Sequence, residues 1–162
     1  MTISWEAVEK RLAKAAGLLN KTGKASVSGG QGPLHVGVDL GTADVVVMVL
    51  NDKGEPVACF LEWSEVVRDG VVVDFIGAAD IVRRLVKKAE KRLGAELTEA
   101  ATSFPPGTDQ RLSTNILERA GLNVIAVQDE PTCVAQLMHL DKAAVVDIGG
   151  GTTGTAVVEK GK

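Results

Sequence analysis

The segment Val145-Val-Asp-Ile-Gly-Gly-Gly-Thr-Thr-Gly154 has the pattern of an apolar strand that delivers one aspartate into a glycine-rich turn. Its glycines fit the spacing G-x-G-x-x-G, which is also found in dinucleotide-binding domains. In those domains a helix follows the third glycine, whereas Thr155-Ala-Val-Val is typical of a strand. The G-x-x-x-x-G-K-[ST] motif of P-loop proteins does not occur in this sequence. The segment therefore predicts a glycine turn between two strands.

The same order of residues occurs earlier in the chain, in Val36-Gly-Val-Asp-Leu-Gly-Thr42 followed by Val45-Val-Val. A glycine turn exposes backbone N–H groups that bind anions, and the threonine hydroxyl adds a donor. Asp39 and Asp147 supply carboxylate oxygens, which hydrated Mg²⁺ prefers. Taken alone, either hairpin is also explained as a tight turn with a solvated aspartate. Two such hairpins facing each other predict a site for phosphate and magnesium.

The hydrophobic pattern between the two motifs predicts an α/β fold. Short runs rich in valine come first, and helical periodicity alternates with strands after them. Alternating helices and strands imply parallel pairing, so we expect a mixed sheet that begins with a hairpin meander. The predicted strands are 34–38, 44–50, 56–62, 71–75, 99–104, 123–127, 143–148 and 155–158, and the predicted helices are 78–93, 108–120 with Thr108 as N-cap, and 131–140.

The N-terminal region, residues 1–33, has a different organisation. Residues 4–19 place apolar side chains at three- and four-residue spacing, which predicts an amphipathic helix with Ser4 as a plausible cap. Residues 21–31 have the composition of a flexible tether. The helix either folds back over apolar surface of the domain or docks in a groove of another protein. The sequence leaves both alternatives open.

Composition excludes several classes of partner. The net charge is -3 and aromatic residues make up 3% of the 162 residues, so we expect no binding to nucleic acid or to anionic membranes. No apolar run reaches membrane-spanning length, and the N-terminus lacks the pattern of a signal peptide. Cys59 and Cys133 lie far apart and do not cluster with His35 or His139, which predicts free thiols in a reducing cytoplasm.

Three ordered motifs resemble those of a known superfamily. The run from Val38 to Thr42 resembles the first phosphate motif of the superfamily of actin, DnaK-type heat-shock chaperones and sugar kinases. Asp129-Glu-Pro-Thr132 resembles its first connecting motif, and the run from Asp147 to Thr152 its second phosphate motif. The longer strings 67–75 and 101–109 are similar to a narrower family of chaperone-like proteins of ethanolamine utilisation. The resemblance covers about residues 34–162.

The resemblance implies an actin-like (ribonuclease H-like) ATPase fold that holds ATP and magnesium between two lobes. We expect residues 34–142 to form the first lobe, with a mixed five-stranded sheet and three helices, and residues 143–162 to be the first hairpin of a second lobe. Twenty residues cannot bury a core of their own. We therefore expect this chain to bind ATP poorly and to lack full ATPase activity.

The resemblance also implies roles for individual residues. The lysine that heat-shock chaperones place near the γ-phosphate has no match by motif here. The residues expected to be catalytic are Asp39, Glu130 and Asp147; Asp39 and Asp147 would hold magnesium through water, and Glu130 would orient the attacking water. The residues expected to bind phosphate are Gly41, Thr42, Gly149, Gly150, Gly151 and Thr152.

The family implied is associated with bacterial microcompartments that degrade ethanolamine. An ATP-binding chaperone-like or assembly factor would have ethanolamine-utilisation enzymes or microcompartment shell proteins as partners. The alternatives are a metabolite kinase of the same superfamily and a non-enzymatic scaffold that docks through residues 4–19. The open strand edges of the C-terminal hairpin also predict self-association.

Overall fold

The computed structural model describes residues 4–25 and 32–159. In these residues it contains four helices and nine strands. In chain order they are α1 (Trp5–Leu18), β1 (His35–Leu40), β2 (Asp44–Leu50), β3 (Pro56–Trp63), β4 (Val67–Arg68), β5 (Val71–Val72), α2 (Phe75–Leu93), β6 (Glu99–Phe104), α3 (Gln110–Ala120), β7 (Asn123–Asp129), α4 (Glu130–Leu137), β8 (Lys142–Ile148) and β9 (Thr153–Glu159).

The central sheet has five strands in the order β3-β2-β1-β6-β7. Strands β1, β2 and β3 pair antiparallel, whereas β6 and β7 are parallel to each other and β6 is parallel to β1. Antiparallel neighbours can be joined by short turns, but parallel neighbours need a crossover, which α2 and α3 supply. The predicted mixed five-stranded α/β sheet is confirmed.

One face of this sheet forms the main core with α2 and α3. Alternate residues of β2 point into it, so Val45, Val47 and Val49 are completely buried. They lie in one cluster with Leu85 of α2 and Ile116 of α3, which are also fully buried. Burying an aliphatic side chain of this size contributes about 1.5–3 kcal/mol. This packing fixes the ends of the strands, where the predicted site residues lie.

Several predicted boundaries are wrong, including those before α2 and α3. Residues 71–75 were expected to form one strand, but only Val71–Val72 pair, with β4, and Asp74 then starts α2 by accepting a hydrogen bond from the Gly77 N–H at 2.8 Å. The predicted cap Thr108 instead donates its hydroxyl to the Pro105 carbonyl at 2.7 Å. Asp109 caps α3, since its carboxylate accepts from the Arg111 N–H at 3.0 Å.

Helix α1 folds back on the domain and packs against β3. Val8 and Ala15 are buried, and Lys14 Nζ lies 3.0 Å from Glu55 Oε2 at the start of β3. Of the two alternatives for this helix, the structure shows the one in which it covers the domain's own surface. Its outer side still presents Trp5 and Leu12, which are 63% and 59% exposed.

Asn20, just after α1, closes part of the open edge of β3. Its backbone N–H donates to the Cys59 carbonyl at 2.9 Å. Its side-chain amide donates to the Leu61 carbonyl at 3.0 Å and accepts from the Leu61 N–H at 3.0 Å. An unpaired strand edge invites pairing with other chains, so these three bonds protect the sheet at this point.

The first residues of the predicted tether are held to α2 by hydrogen bonds. Arg92 of α2 donates to the carbonyls of Lys21, at 3.2 Å, and Gly23, at 2.7 Å. The Ala25 N–H donates back to the Arg92 carbonyl at 2.9 Å. Residues 26–31 of the predicted tether lie outside the described residues.

The hairpin β8–β9 packs on α4 through a second, smaller core. Val145 of β8 and Val158 of β9 are buried against Ala135, with Leu140 alongside. In the part of the chain that the structure describes, β8 and β9 pair only with each other. Helix α4 ends at Leu137, earlier than predicted, and His139 adopts a positive φ of 50° in the turn that follows. No described helix has the length and apolarity that crossing a membrane requires.

Candidate functional site

The two glycine motifs meet in space. We call residues 41–43, between β1 and β2, the first glycine loop, and residues 149–152, between β8 and β9, the second glycine loop. A Cβ atom on Gly151 would lie 2.8 Å from Thr42 Cγ2, and one on Gly150 would lie 3.3 Å from Ala43 Cβ. The first of these distances is shorter than non-bonded carbon atoms tolerate, so the loops approach this closely because glycine has no side chain.

Two prolines contact the β8–β9 hairpin close to its glycine loop. A Cβ atom on Gly154 would lie 3.0 Å from both Pro106 Cδ and Pro131 Cγ. Gly70, at the turn of the β4–β5 ribbon with φ of 74°, lies against Thr152 in the same way, since its Cβ would be 2.7 Å from Thr152 Cγ2. These contacts hold the loop end of the hairpin in place, in addition to its packing on α4.

A cavity of about 370 Å³ lies between the two glycine loops. Its size falls within the range of small-molecule sites. Of the nine predicted site residues, only Gly151 does not line it; Gly151 is instead in contact with Thr42. The predicted residues that line the cavity are Asp39, Gly41, Thr42, Glu130, Asp147, Gly149, Gly150 and Thr152.

The fold explains why the three predicted carboxylates share this cavity, which Asp44 also lines. The parallel strands β1, β6 and β7 end at one edge of the sheet, where ligand sites of open α/β sheets form. Asp39 lies near the end of β1, and Glu130 is the first residue of α4, directly after β7. Asp147 lies near the end of β8, on the same side of that strand as the buried Val145.

The helix that carries Glu130 is fixed at its start. The Asp129 carboxylate accepts from the Thr132 N–H at 3.0 Å, and Pro131 occupies the first turn, where its missing N–H costs no helical hydrogen bond. Gln128 donates to the other Asp129 oxygen at 2.8 Å. Asp129 thus orients the helix, and Glu130 is free to face the cavity.

Crowding of the carboxylates changes their acidity. Partial burial raises the pKa of Glu130 to about 7, and the negative charges of Asp39 and Asp147 and a hydrogen bond to Asp147 act in the same direction. Protein surrounding Asp39 on the cavity wall raises its pKa too, and the nearby charges of Asp44 and Asp147 add to this, although a hydrogen bond from Ser103 opposes the rise. The cavity therefore disfavours negative charge in the absence of a cation.

The donor set fits a magnesium nucleotide better than a bare anion. Among the described residues that line the cavity there is no lysine or arginine. Phosphates placed beside these carboxylates need a cation between them, and carboxylate oxygens with water are what Mg²⁺ prefers. No three His, Cys, Asp or Glu side chains within residues 4–25 and 32–159 come close enough together to ligate a metal directly.

Ser103 is a cavity residue that the sequence reasoning missed. It lies at the end of β6, beside β1, and its hydroxyl donates to Asp39 Oδ1 at 3.0 Å. The sequence did contain an indication of this position. Ser103 lies two residues before Pro105-Pro106-Gly107, which ends the predicted strand, so Ser103 was expected at the carboxyl end of that strand. Cys133 also lines the cavity from α4, and burial raises the pKa of its thiol.

Comparison with known proteins finds, over most of the chain, relatives of the kind that the sequence motifs resemble. The sequence model of the family described as Hsp70 protein matches residues 75–162. The chain is 59% identical over 152 residues to the ethanolamine utilization protein EutJ of Salmonella typhimurium, a match that covers 94% of this chain and 53% of that protein. The chain thus spans about half the length of the curated relatives it matches.

Solved structures share the fold. The crystal structure of ethanolamine utilization protein EutJ from Carboxydothermus hydrogenoformans superposes with a TM-score of 0.88 at 45% identity, covering 98% of this chain and 58% of that one. MreB5 of Spiroplasma citri bound to ADP superposes with a TM-score of 0.60 at 19% identity over 80% of this chain and 49% of that one. The second likeness shows the actin-like fold alone.

Proposed function

Because this chain belongs to the Hsp70 protein family, we propose that it holds the phosphates of ATP, together with magnesium, between its two glycine loops. The observation that carries this proposal is the direct contact of the loops beside three carboxylates, with Gly151 against Thr42 and with Asp39, Glu130 and Asp147 on the cavity wall. The structure of MreB5, which shares the fold, contains ADP.

The two glycine loops would bind the phosphates from opposite sides with the same kinds of donor. Loop backbone N–H groups form a concavity that attracts anions, and the hydroxyls of Thr42 and Thr152 are further donors. The second loop is held in shape by a hydrogen bond from the Gly149 N–H to the Thr152 carbonyl at 2.9 Å. Its fixed shape lowers the entropy lost when a phosphate is ordered.

The carboxylates divide between holding the metal and handling a proton. Asp39 and Asp147 would hold magnesium through water, and the metal would neutralise phosphate charge. Glu130, with a pKa of about 7, is poised to orient a water molecule and to accept its proton near neutral pH. Hydrolysis of ATP, in a chain of the length of its relatives, is therefore the reaction that we propose for this site.

For the biological role we propose a chaperone-like or assembly function in ethanolamine utilisation. The 59% identity to EutJ of Salmonella typhimurium supports this assignment. The proposed partners are ethanolamine-utilisation enzymes or shell proteins of a microcompartment, in the cytoplasm. The outer side of α1, with Trp5 and Leu12 exposed, favours a docking role for this helix beside its contact with β3. Co-purification of those partners should weaken in a Trp5→Ala, Leu12→Ala double variant and persist in a Lys10→Ala control.

Calorimetric titration of magnesium-ATP tests the nucleotide site. We expect weak binding to the 162-residue chain and tighter binding to a chain extended to the length of its relatives. Asp147→Asn should lower the affinity in both, because it removes a charge from the cavity wall, whereas Asp80→Asn on the exposed side of α2 should not. Equal heats for all variants, or no binding to the extended chain, would refute the proposal.

A further inference from the structure

We propose that Ser103 is a positioning residue for Asp39, and that it holds one carboxylate oxygen of Asp39 so that the other faces the hydrated magnesium ion. This inference rests on the proposed nucleotide site and adds a residue to it. Ser103 touches neither the metal nor the phosphates in this scheme. It acts through the orientation of Asp39.

The register of the sheet places the two side chains together. Strands β1 and β6 are parallel, with Gly37 opposite Ala101 and Val38 opposite Thr102. One step further along this register brings Asp39 beside Ser103. Side chains alternate between the faces of a strand. Thr102 is therefore buried towards the core, and Ser103 shares the open face with Asp39.

The contact itself has the geometry of a good hydrogen bond. Ser103 Oγ lies 3.0 Å from Asp39 Oδ1, and both residues line the cavity between the glycine loops. A hydrogen bond to a charged carboxylate is stronger than one between neutral groups. Because Asp39 has two equivalent oxygens, occupation of Oδ1 by the hydroxyl leaves Oδ2 for a water ligand of the metal.

A serine suits this task better than a charged donor would. Lysine or arginine beside Asp39 would form an ion pair with it and would compete with the divalent cation for its charge. A hydroxyl donates one hydrogen bond and adds no charge. Packing does not explain the choice, since a strand end on an open face favours β-branched residues such as valine or threonine.

The test measures metal and nucleotide separately in the 162-residue chain. Mn²⁺ serves as the probe at a fixed, saturating concentration of ATP, and the enhancement of water proton relaxation reports Mn²⁺ bound to the protein, as distinct from Mn²⁺ held by ATP in solution. Ser103→Ala should raise the Mn²⁺ concentration for half-maximal binding about ten-fold, as expected for loss of a hydrogen bond to a charged group. Binding of ATP in metal-free buffer should not change.

Two further variants separate positioning from a structural role. Ser103→Thr keeps the hydroxyl and should restore Mn²⁺ binding, whereas Ser113→Ala in α3 removes a serine hydroxyl outside the cavity and should have no effect. If wild type binds Mn²⁺ with ATP but Ser103→Ala binds it equally well, the inference on Ser103 is wrong while the proposed site stands. If neither the 162-residue chain nor a chain extended to the length of its relatives shows ATP-dependent Mn²⁺ binding, both are overturned.

Discussion

Replacement of Glu130 by glutamine tests the electrostatics of the cavity in the absence of any ligand. Glu130 ionises with a pKa of about 7 instead of the ordinary 4.5, because partial burial and the charges of Asp39 and Asp147 oppose its negative charge. Glutamine has nearly the same shape and stays neutral at every pH. The variant therefore removes the cost of ionising this side chain and leaves the packing in place.

The sign of the effect follows from proton binding. Between pH 4.5 and about 7 the unfolded chain releases the Glu130 proton while the folded protein keeps it. The folded protein thus loses stability as the pH rises through this window. One pKa unit corresponds to about 1.4 kcal/mol, and the whole difference to roughly 3 kcal/mol. Because the side chain is only partly buried, solvent screening reduces this to roughly 1–2 kcal/mol.

Urea unfolding of wild type and Glu130→Gln, in buffer with chelator and without nucleotide, measures the difference. The two free energies of unfolding should agree near pH 4.5, and the variant should be more stable by roughly 1–2 kcal/mol near pH 8. Glu62→Gln is the control of opposite sign, because the hydrogen bond from Arg84 lowers the pKa of Glu62. That variant should be less stable than wild type at neutral pH.

Two results would refute this reasoning. The first is a free-energy difference between wild type and Glu130→Gln that does not change with pH. The second is a variant that loses stability as the pH rises, since this would mean that the Glu130 charge is favourable in the folded protein. Either outcome would remove the argument that the cavity needs a cation.

The remaining predictions concern the loops, α1 and the hairpin. Gly151→Ala places a methyl group 2.8 Å from Thr42 Cγ2, so it should destabilise the contact between the loops by about 1–3 kcal/mol in urea unfolding and weaken ATP binding in calorimetry. Thr42→Ser should recover part of that loss, and an unchanged Gly151→Ala variant would contradict the contact. Gly17→Ala in α1 meets no atom within 4 Å and should stabilise the protein by about 0.5–1 kcal/mol, and a lower midpoint in urea would count against this. The outer face of β8–β9 should drive concentration-dependent association in sedimentation, because Val146, Ile148 and Val157 are more than half exposed, and a monomer at every concentration would exclude it.

The carboxylates and glycine loops were predictable because their signals are local in sequence. An aspartate two residues before a glycine, at the end of an apolar run, is visible without any knowledge of the fold. Gly94 and Gly121 ended their helices as predicted, since each adopts the left-handed backbone conformation that glycine tolerates. The mixed character of the sheet, with a hairpin meander followed by parallel strands, followed from the alternation of helices and strands.

Ser103 was not predictable by these means, because its role depends on lateral pairing. It meets Asp39 across 64 residues of sequence, and only the parallel register of β1 and β6 brings them together. The predicted cap of α3 was wrong for another reason. Thr108 and Asp109 are adjacent residues that both favour caps, and the Thr108 hydroxyl is already used in the turn at Pro105. The valine run before Phe75 has strand composition, but Asp74 caps α2, so only Val71 and Val72 pair with β4.

The docking of α1 on β3 has a consequence for the order of events during synthesis. The ribosome makes α1 first, but the strand edge that receives Asn20 is made about 40 residues later. A helix of 14 residues is only marginally stable alone in water. During that interval the apolar side of α1 is open to other chains, and the edge of β3 is open from its synthesis until α1 docks on it. Nascent-chain contacts with cellular folding factors should therefore concentrate on this pair of segments, and they should end when the helix closes the edge.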